Sequence, residues 1–160
     1  MEWSTAAVGF GSALLGAMLG FAGSVYRTNQ EQAKREQGVV RALLGELVDN
    51  TTFALMATTG HKKLGSISTS VWNDAKLQIA QVTSRKMFGT LVGVYSSTRL
   101  MESAREELEA RNPNAIEALG LWYSAARQSH NMLLQEFPRA TAGWNEMAPF
   151  HAALDELKEK

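Results

Sequence analysis

A long stretch without charge near the amino terminus constrains this chain more than any other feature of its sequence. No charged residue lies between Glu2 and Arg27, and most of the 24 residues in between are apolar. As an α-helix these residues would extend over roughly 36 Å, more than the hydrocarbon core of a bilayer at about 30 Å. Trp3 and Tyr26 stand at the two ends, where aromatic side chains favour the headgroup region. We therefore predict a transmembrane anchor over residues 1–27, with Trp3, Tyr26 and Arg27 at the membrane interfaces.

The same stretch allows two other interpretations. A cleaved signal peptide would explain the apolar run, and residues 20–22 (Gly-Phe-Ala) would serve as a small-residue cleavage site, but the basic residues that normally precede such a run are missing. A buried core helix would also explain the run, although buried helices seldom stay uncharged for so long. We prefer the anchor because both its length and its flanking residues fit.

The charges that flank the stretch predict its orientation. Arg27, Lys34, Arg35 and Arg41 follow it within about 15 residues, whereas the amino-terminal side offers only Glu2 and the terminal amine. Cytoplasmic flanks of membrane helices carry the excess of lysine and arginine. We therefore expect the inner (cytoplasmic) membrane as the location, with the amino terminus outside and the large carboxyl-terminal part in the cytoplasm.

Small side chains in the stretch recur at helical spacing. One row has a small residue at every fourth position and a second row runs beside it, so one face of the helix is nearly flat. These residues are Ser12, Gly16, Gly20 and Ser24, with Gly9, Ala13 and Ala17 in the neighbouring row. In lipid, such faces let helix backbones approach closely and pack. The pattern predicts a homo-oligomer formed through the membrane helix; the alternative is that glycine and alanine are simply common in membrane helices.

A hydrophilic segment, 28–39, connects the apolar stretch to the rest of the chain. It contains no helix breaker other than Gly38, so it predicts a polar helical stalk. If neither Gly38 nor Gly45 interrupts it, a single helix extends from about residue 4 to about residue 58, far longer than the usual three or four turns. The remaining residues, 40–160, are predicted to form one domain.

Apolar side chains in residues 40–160 return every three or four positions, which is the period of amphipathic helices. Turn and cap residues divide the region: Ser70 is predicted to cap one helix, a break follows near Ser84, and Pro113 and Pro138 bound another helix. No segment alternates with period two for long. The prediction is an all-α fold, an antiparallel bundle of three or four principal helices that continues from the membrane helix.

The apolar rows of these helices predict the bundle core and one helix contact. The expected core comprises Leu44, Leu47, Trp72, Leu91, Tyr95, Trp122 and Leu133. Gly89 and Gly93, four positions apart in a helical pattern, predict a close crossing with another helix. The charged segment 102–111 is predicted to project into solvent, because its arginines and glutamates alternate.

The overall composition excludes several classes of function. Sixteen basic and sixteen acidic side chains leave no net charge, so the chain lacks the surplus of cations that drives nucleic-acid binding. Without cysteine there is no disulfide, no thiolate metal site and no cysteine nucleophile. A phosphate-binding glycine loop is missing from the sequence as well. We expect no cofactor, no metal and no nucleic-acid partner.

Few polar residues have the spacing that catalysis requires. The three histidines, His61, His130 and His151, are far apart and have no partner at metal-ligand spacing. His130 falls on an apolar helix row, so it is either a hydrogen-bonded core residue or a pH-sensitive or catalytic group. Asn50, four residues after Glu46, interrupts another apolar row; it either fixes register or oligomeric state, or bonds the next loop. Because no nucleophile, base and metal can be assembled, we expect that the protein is not an enzyme.

Four segments carry a resemblance to known proteins. They are the Gly/Ala-rich helix 6–25, the charged link QEQAKREQ, the segment 41–50 (RALLGELVDN), and Trp72 with residues 91–95. In this order of parts the chain resembles a loose group of small, uncharacterised prokaryotic proteins with one amino-terminal membrane helix followed by a cytoplasmic helical domain. The resemblance implies the architecture alone, and no activity or site residue comes with it.

Two functions fit these features. The first is a single-pass, membrane-anchored interaction or scaffold module that self-associates through its membrane helix and docks a protein partner on its cytosolic bundle. The second is a membrane-disrupting or pore-forming protein, such as a toxin, phage lysis factor or defence effector, in which packed membrane helices form the pore. Both functions take the lipid bilayer as a partner.

Overall fold

The computed structural model is helical over most of the chain that it describes, which is residues 3–59 and 67–159; side chains are described from residue 18 onward and not at 157 and 158. The helices in order are α1 Trp3–Ala57, α2 Ser70–Val82, α3 Arg85–Ser103, α4 Arg105–Glu109, α5 Pro113–Glu136 and α6 Phe150–Glu159. No strand occurs within these described ranges, and the all-α prediction is therefore confirmed.

The first helix has the predicted length. α1 continues through Gly38 and Gly45 for 55 residues, so the prediction of one very long helix is confirmed. The chain divides into two compact units, Met1–Arg35 and Glu36–Lys160, which we call the amino-terminal unit and the helical domain. No helix in the described part of the chain is both long enough and apolar enough to cross a membrane.

Local sequence signals mark the starts of three further helices, α3, α5 and α6. The side chain of Ser84 accepts a hydrogen bond from the N–H of Met87 and caps α3 after a two-residue break. Pro113 opens α5, where its missing N–H costs nothing, and Asn112 caps the same helix by accepting from the N–H of Asn114. α6 begins directly after Pro149, a residue that fits the start of a helix because it lacks an N–H.

Contacts between α3 and α5 show that these two helices are antiparallel. Ser84, at the start of α3, donates to the carboxylate of Glu136, at the end of α5, with 2.6 Å between the Ser84 Oγ and the Glu136 Oε1. Farther along, the indole N–H of Trp122 donates to the hydroxyl of Thr98 over 3.2 Å. Because the later residue of α3 contacts the earlier residue of α5, the helix directions oppose each other.

Side-chain contacts also connect α1 and α2 to the pair formed by α3 and α5. The guanidinium of Arg41 donates to the carbonyl of Ala140, just beyond the end of α5, with 2.6 Å between Nε and O. The ring of Trp72 on α2 stacks on that of Tyr95 on α3, with centroids 4.8 Å apart. α1, α2, α3 and α5 therefore contribute to one core, an arrangement compatible with a helical bundle.

The core contains the residues that the apolar rows single out. Leu44, Leu47, Trp72, Leu91, Tyr95, Trp122 and Leu133 are all buried. Burial of these aliphatic and aromatic surfaces is the main favourable contribution to the stability of the domain.

The prediction of a helix crossing at Gly89 and Gly93 is wrong. A Cβ atom added at either residue would meet no atom within 4 Å, so these glycines lie on an open face of α3. The charged side chains of segment 102–111 are exposed or half-buried, whereas Leu108 on α4 is buried at 1% exposure. The apolar row that includes Met101 reaches Leu108 seven residues later, and this spacing holds the charged segment against the core.

Candidate functional site

The described part of the predicted anchor presents large apolar side chains without cover. Leu19 and Phe21 are each 73% exposed, and Met18, Val25 and Tyr26 are exposed as well. At about 100° per residue, these five side chains lie within roughly 160° of one face of α1. These side chains therefore form an exposed apolar patch on one face of α1.

The opposite face of the same segment is small and open. A Cβ atom added at Gly20 or Gly23 would meet nothing within 4 Å. The hydroxyl of Ser24 donates to the carbonyl of Phe21 over 2.8 Å, so its hydrogen-bonding capacity is used inside the helix. The side chains of the other predicted packing and interface residues, Trp3, Gly9, Ser12, Ala13, Gly16 and Ala17, lie outside the described residues.

The predicted interface residues at the carboxyl end of the anchor are both exposed. Tyr26 accepts a hydrogen bond from the side-chain amide of Gln30, with 2.7 Å between Nε2 and the phenol oxygen. Arg27 follows directly. The phenol thus already has a polar partner one helical turn away, while its ring stays exposed.

Within the helical domain, Glu46 caps the amino terminus of α2 from another helix. Its carboxylate accepts from the main-chain N–H of Val71 at 2.9 Å and of Trp72 at 3.0 Å, and also from the hydroxyl of Ser68 at 3.1 Å. These are the donors that a helix leaves unsatisfied at its start, and a negative charge is favourable there. The prediction that Ser70 caps α2 is wrong, because Ser70 is the first helical residue and the cap comes from Glu46.

Asn50 binds the loop before α2. Its side-chain N–H donates to the carbonyl of Ser68 over 2.6 Å, and its carbonyl accepts from the N–H of Ser68 over 2.8 Å. Asn50 is 1% exposed, so both polar groups are satisfied while buried. Of the two interpretations of this asparagine, the structure supports the bond to the next loop.

Tyr95 on α3 stacks on Trp72, whose main-chain N–H donates to Glu46. Its hydroxyl is buried, and no hydrogen bond of ordinary geometry reaches it from the described part of the chain. Burial raises the pKa of Tyr95, and the negative charge of Glu46 raises it further. A phenol with such a pKa stays protonated at neutral pH. The Glu46 bonds to α2 and the stacking of Trp72 on Tyr95 connect α1, α2 and α3.

A groove of about 450 Å³ opens beside His130 between α1, α5, α6 and the segment 144–147. His130 is 1% exposed, and its Nδ1 lies 3.4 Å from the amide oxygen of Asn131. Burial lowers the pKa of His130, although the Asn131 hydrogen bond and the charge of Glu146 oppose this. The imidazole is therefore neutral at pH 7, and the core interpretation of this histidine agrees with its burial.

The two threonine hydroxyl groups that line the histidine groove, on Thr51 and Thr52, bond main-chain oxygens of α1. The hydroxyl of Thr51 in its lining donates to the main-chain oxygens of Leu47 and Val48, within its own helix. The ring of Trp144 lies 6.3 Å from that of His130 and fills one wall. The hydrogen bond described for the His130 ring goes to the amide of Asn131, whereas nucleophilic catalysis pairs an imidazole with a hydroxyl or thiol.

A second, more open groove of about 870 Å³ runs along the outer face of α5. Arg127 donates to the carbonyl of Met147 over 2.8 Å, and Tyr123 donates to that of Ala148 over 3.0 Å, so both fasten the segment before α6 to α5. Leu121 in the lining is 71% exposed, and His151 lies at the edge. This groove is suited to a protein segment rather than to a buried small molecule.

Metal binding finds no support in the described residues, where no three histidine, aspartate or glutamate side chains come close enough to hold an ion. His61 lies outside the described residues.

No known protein family matches this chain, and no curated protein or solved structure matches it either. Function therefore has to be inferred from the chain's own residues.

Proposed function

We propose that this protein is a single-pass, membrane-anchored helical interaction module. The observation that carries the proposal is the uncharged stretch 3–26, which continues without a break into the helical domain as part of α1. The exposed apolar side chains between Met18 and Tyr26 support it, since lipid would cover them at no cost in hydration. The side chains of residues 3–17, on which the anchor also depends, lie outside the described residues.

Self-association is the second part of the proposal. Gly20 and Ser24 form the described portion of the small-residue face, and the space beside Gly20 and the nearby Gly23 is open. A second copy of the helix would fill this space and gain the van der Waals contacts that drive helix pairing in lipid. The helical domain, with the groove beside His130 and the groove along α5, would then present a binding surface for a cytosolic protein partner.

Membrane extraction and a topology reporter test the anchor. The protein should stay with the membrane during carbonate extraction, and a reporter fused after Lys160 should be active in the cytoplasm. Leu15→Lys combined with Leu19→Lys should release it, because each charge near the helix centre costs about 3 kcal/mol of insertion free energy. The matched control is Leu77→Lys, at an exposed position of α2, which should change nothing. Extraction of the parent chain, or a periplasmic reporter signal, would contradict the proposal.

The alternative function is a pore-forming or membrane-disrupting protein. The same small-residue face favours it, because closely packed helices line the simplest pores. Release of an entrapped dye from vesicles that contain the protein distinguishes the two functions. Intact vesicles at full insertion support the interaction module, whereas rapid release supports the pore.

A further inference from the structure

One end of the helical domain gathers exposed cations from three separate segments. They are Arg41 on α1, Arg85 and Lys86 in the first turn of α3, and Arg139 in the turn after α5. We call this surface the basic end. It is also the end at which the chain enters the domain, at Glu36.

Two hydrogen bonds bring these segments together. Arg41 donates to the carbonyl of Ala140, which places the turn that contains Arg139 beside α1. Ser84 donates to the carboxylate of Glu136 from its N–H at 3.1 Å and from its hydroxyl at 2.6 Å, which places the start of α3 beside the end of α5. Residues about 45 and about 55 positions apart therefore share one surface, because up-and-down helices meet at their ends.

The positive charge of the basic end is not neutralised locally. Only two carboxylates, Glu36 and Glu136, lie in the same segments as the four cations, and Glu136 already accepts from Ser84. Within the part of the chain that the structure describes, Arg41, Arg85, Lys86 and Arg139 form no ion pair. Exposed guanidinium and ammonium groups on one surface favour a partner that presents many negative charges in a plane.

We propose that the basic end of the helical domain docks on the anionic phospholipid headgroups of the membrane that carries the protein. This inference rests on the proposed membrane anchor. Glu36 lies ten residues after Tyr26 along α1, so a short helical link joins the basic end to a Tyr26 held at a bilayer surface. Such a link raises the effective concentration of headgroups near the domain and makes weak electrostatic contacts productive. Nucleic acid is the less suitable partner, because the link to the anchor raises the local concentration of lipid headgroups and not that of a soluble polyanion.

The absence of cysteine allows a direct test on the full chain. A polarity-sensitive fluorophore is attached at Ala142→Cys, an exposed position beside the basic end, or at Ala110→Cys, an exposed position between α4 and α5. Each labelled protein is inserted into vesicles of phosphatidylcholine, with or without phosphatidylglycerol. The anionic lipid should shift the emission of the probe at position 142 and leave that at position 110 unchanged, and added salt should reverse the shift.

Charge removal separates lipid docking from insertion. The triple variant Arg85→Gln, Lys86→Gln and Arg139→Gln should lower the ratio of docked to free domain about a hundredfold, so the shift at position 142 disappears while the protein still floats with the vesicles. Arg41 is kept because it bonds Ala140. The matched control removes three exposed cations elsewhere: Lys76→Gln, Arg99→Gln and Arg111→Gln. These changes should preserve the shift.

Two results would overturn the proposal. An equal emission from position 142 with neutral and anionic vesicles, in a protein that floats with both, means that the domain does not dock although the anchor inserts. A shift that survives the triple variant means that other residues cause it. Failure to float with neutral vesicles contradicts the anchor instead, and salt-sensitive flotation with anionic vesicles alone would still support the basic end.

Discussion

Glu46 on α1 and Trp72 on α2 are joined by a hydrogen bond of 3.0 Å between the Glu46 carboxylate and the main-chain N–H of Trp72. The same carboxylate accepts from the N–H of Val71, so one side chain of α1 satisfies the first free donors of α2. The indole of Trp72 then stacks on Tyr95 of α3. This relationship positions three helices of the domain relative to one another, and it leads to the first prediction.

Glu46→Gln should destabilise the helical domain by about 1–3 kcal/mol, because the amide loses the charge that favours a helix start and one of the two oxygens that accept hydrogen bonds. Urea unfolding of the full-length protein in detergent, followed by tryptophan fluorescence, gives the free energy. Asp49→Asn is the control, since it removes the same charge from an exposed position of the same helix. Equal losses in the two variants would show that the cap contributes nothing specific.

Asn50→Leu should cost about 1–3 kcal/mol of unfolding free energy without altering oligomeric state. The change leaves the N–H and the carbonyl of Ser68 without the partners that they have in the native structure. Light scattering alongside urea unfolding measures both quantities. A change of oligomeric state at unchanged stability would favour the other interpretation, in which Asn50 specifies assembly.

Leu91→Ala and Leu133→Ala should each cost about 2–5 kcal/mol of unfolding free energy, because both side chains are fully buried and their removal leaves a cavity. Glu106→Gln, on an exposed position of α4, should be nearly silent. Melting temperatures of the three variants in the same detergent provide the comparison. Melting of the leucine variants at the parent temperature would contradict the packing described here.

His130 should make the domain less stable in mild acid. Burial lowers the pKa of His130 below the ordinary value of about 6.5, so the unfolded chain binds a proton at this imidazole more readily than the folded chain does. The resulting loss of unfolding free energy is absent above about pH 6.5, and it grows as the pH falls below that value toward the lower pKa of the folded state. His130→Gln should therefore lose less stability than the parent between about pH 7.5 and about pH 5.5. His151→Gln, at an exposed position, should retain the parent's pH dependence.

Gly16→Ile and Gly20→Ile should weaken self-association in a membrane two-hybrid assay, because a bulky side chain on the small-residue face prevents close backbone approach. Leu15 and Leu19 lie on another face of the helix. Leu15→Ile and Leu19→Ile introduce the same isoleucine there without adding volume, and these variants serve as controls. All four variants should insert equally well. If both glycine variants associate like the parent, assembly comes from the helical domain, and a chain that starts at Thr28 should remain oligomeric.

The limits of the helices could be predicted because their signals are local. Pro113 cannot donate a main-chain hydrogen bond and so starts a helix well, and Ser84 supplies an acceptor three residues before the N–H that needs it. The length of α1 followed from the lack of a strong breaker before residue 58. The apolar period also identified the buried rows, since three- and four-residue spacing places side chains on one face of a helix.

Features that depend on which helices become neighbours could not be predicted. The cap of α2 comes from Glu46, 26 residues away from Trp72, where a reading of nearby residues selects Ser70. Gly89 and Gly93 have the spacing of a helix crossing, but the bundle turns them outward because Leu91 and Tyr95 occupy the inner face. A spacing specifies a face of a helix, and only packing decides whether that face meets another helix or stays open.

The sequence by itself determined an uncharged helical stretch, a polar link and a set of amphipathic helices, because charge, hydropathy and capping act over a few residues. Only the tertiary structure decided the partners of Glu46 and Asn50, the burial of His130 beside a groove, and the meeting of Arg41 with the turn that contains Arg139. These arrangements join residues far apart in the chain. They follow from how the helices pack, and packing is set by the complementarity of whole surfaces rather than by any short pattern.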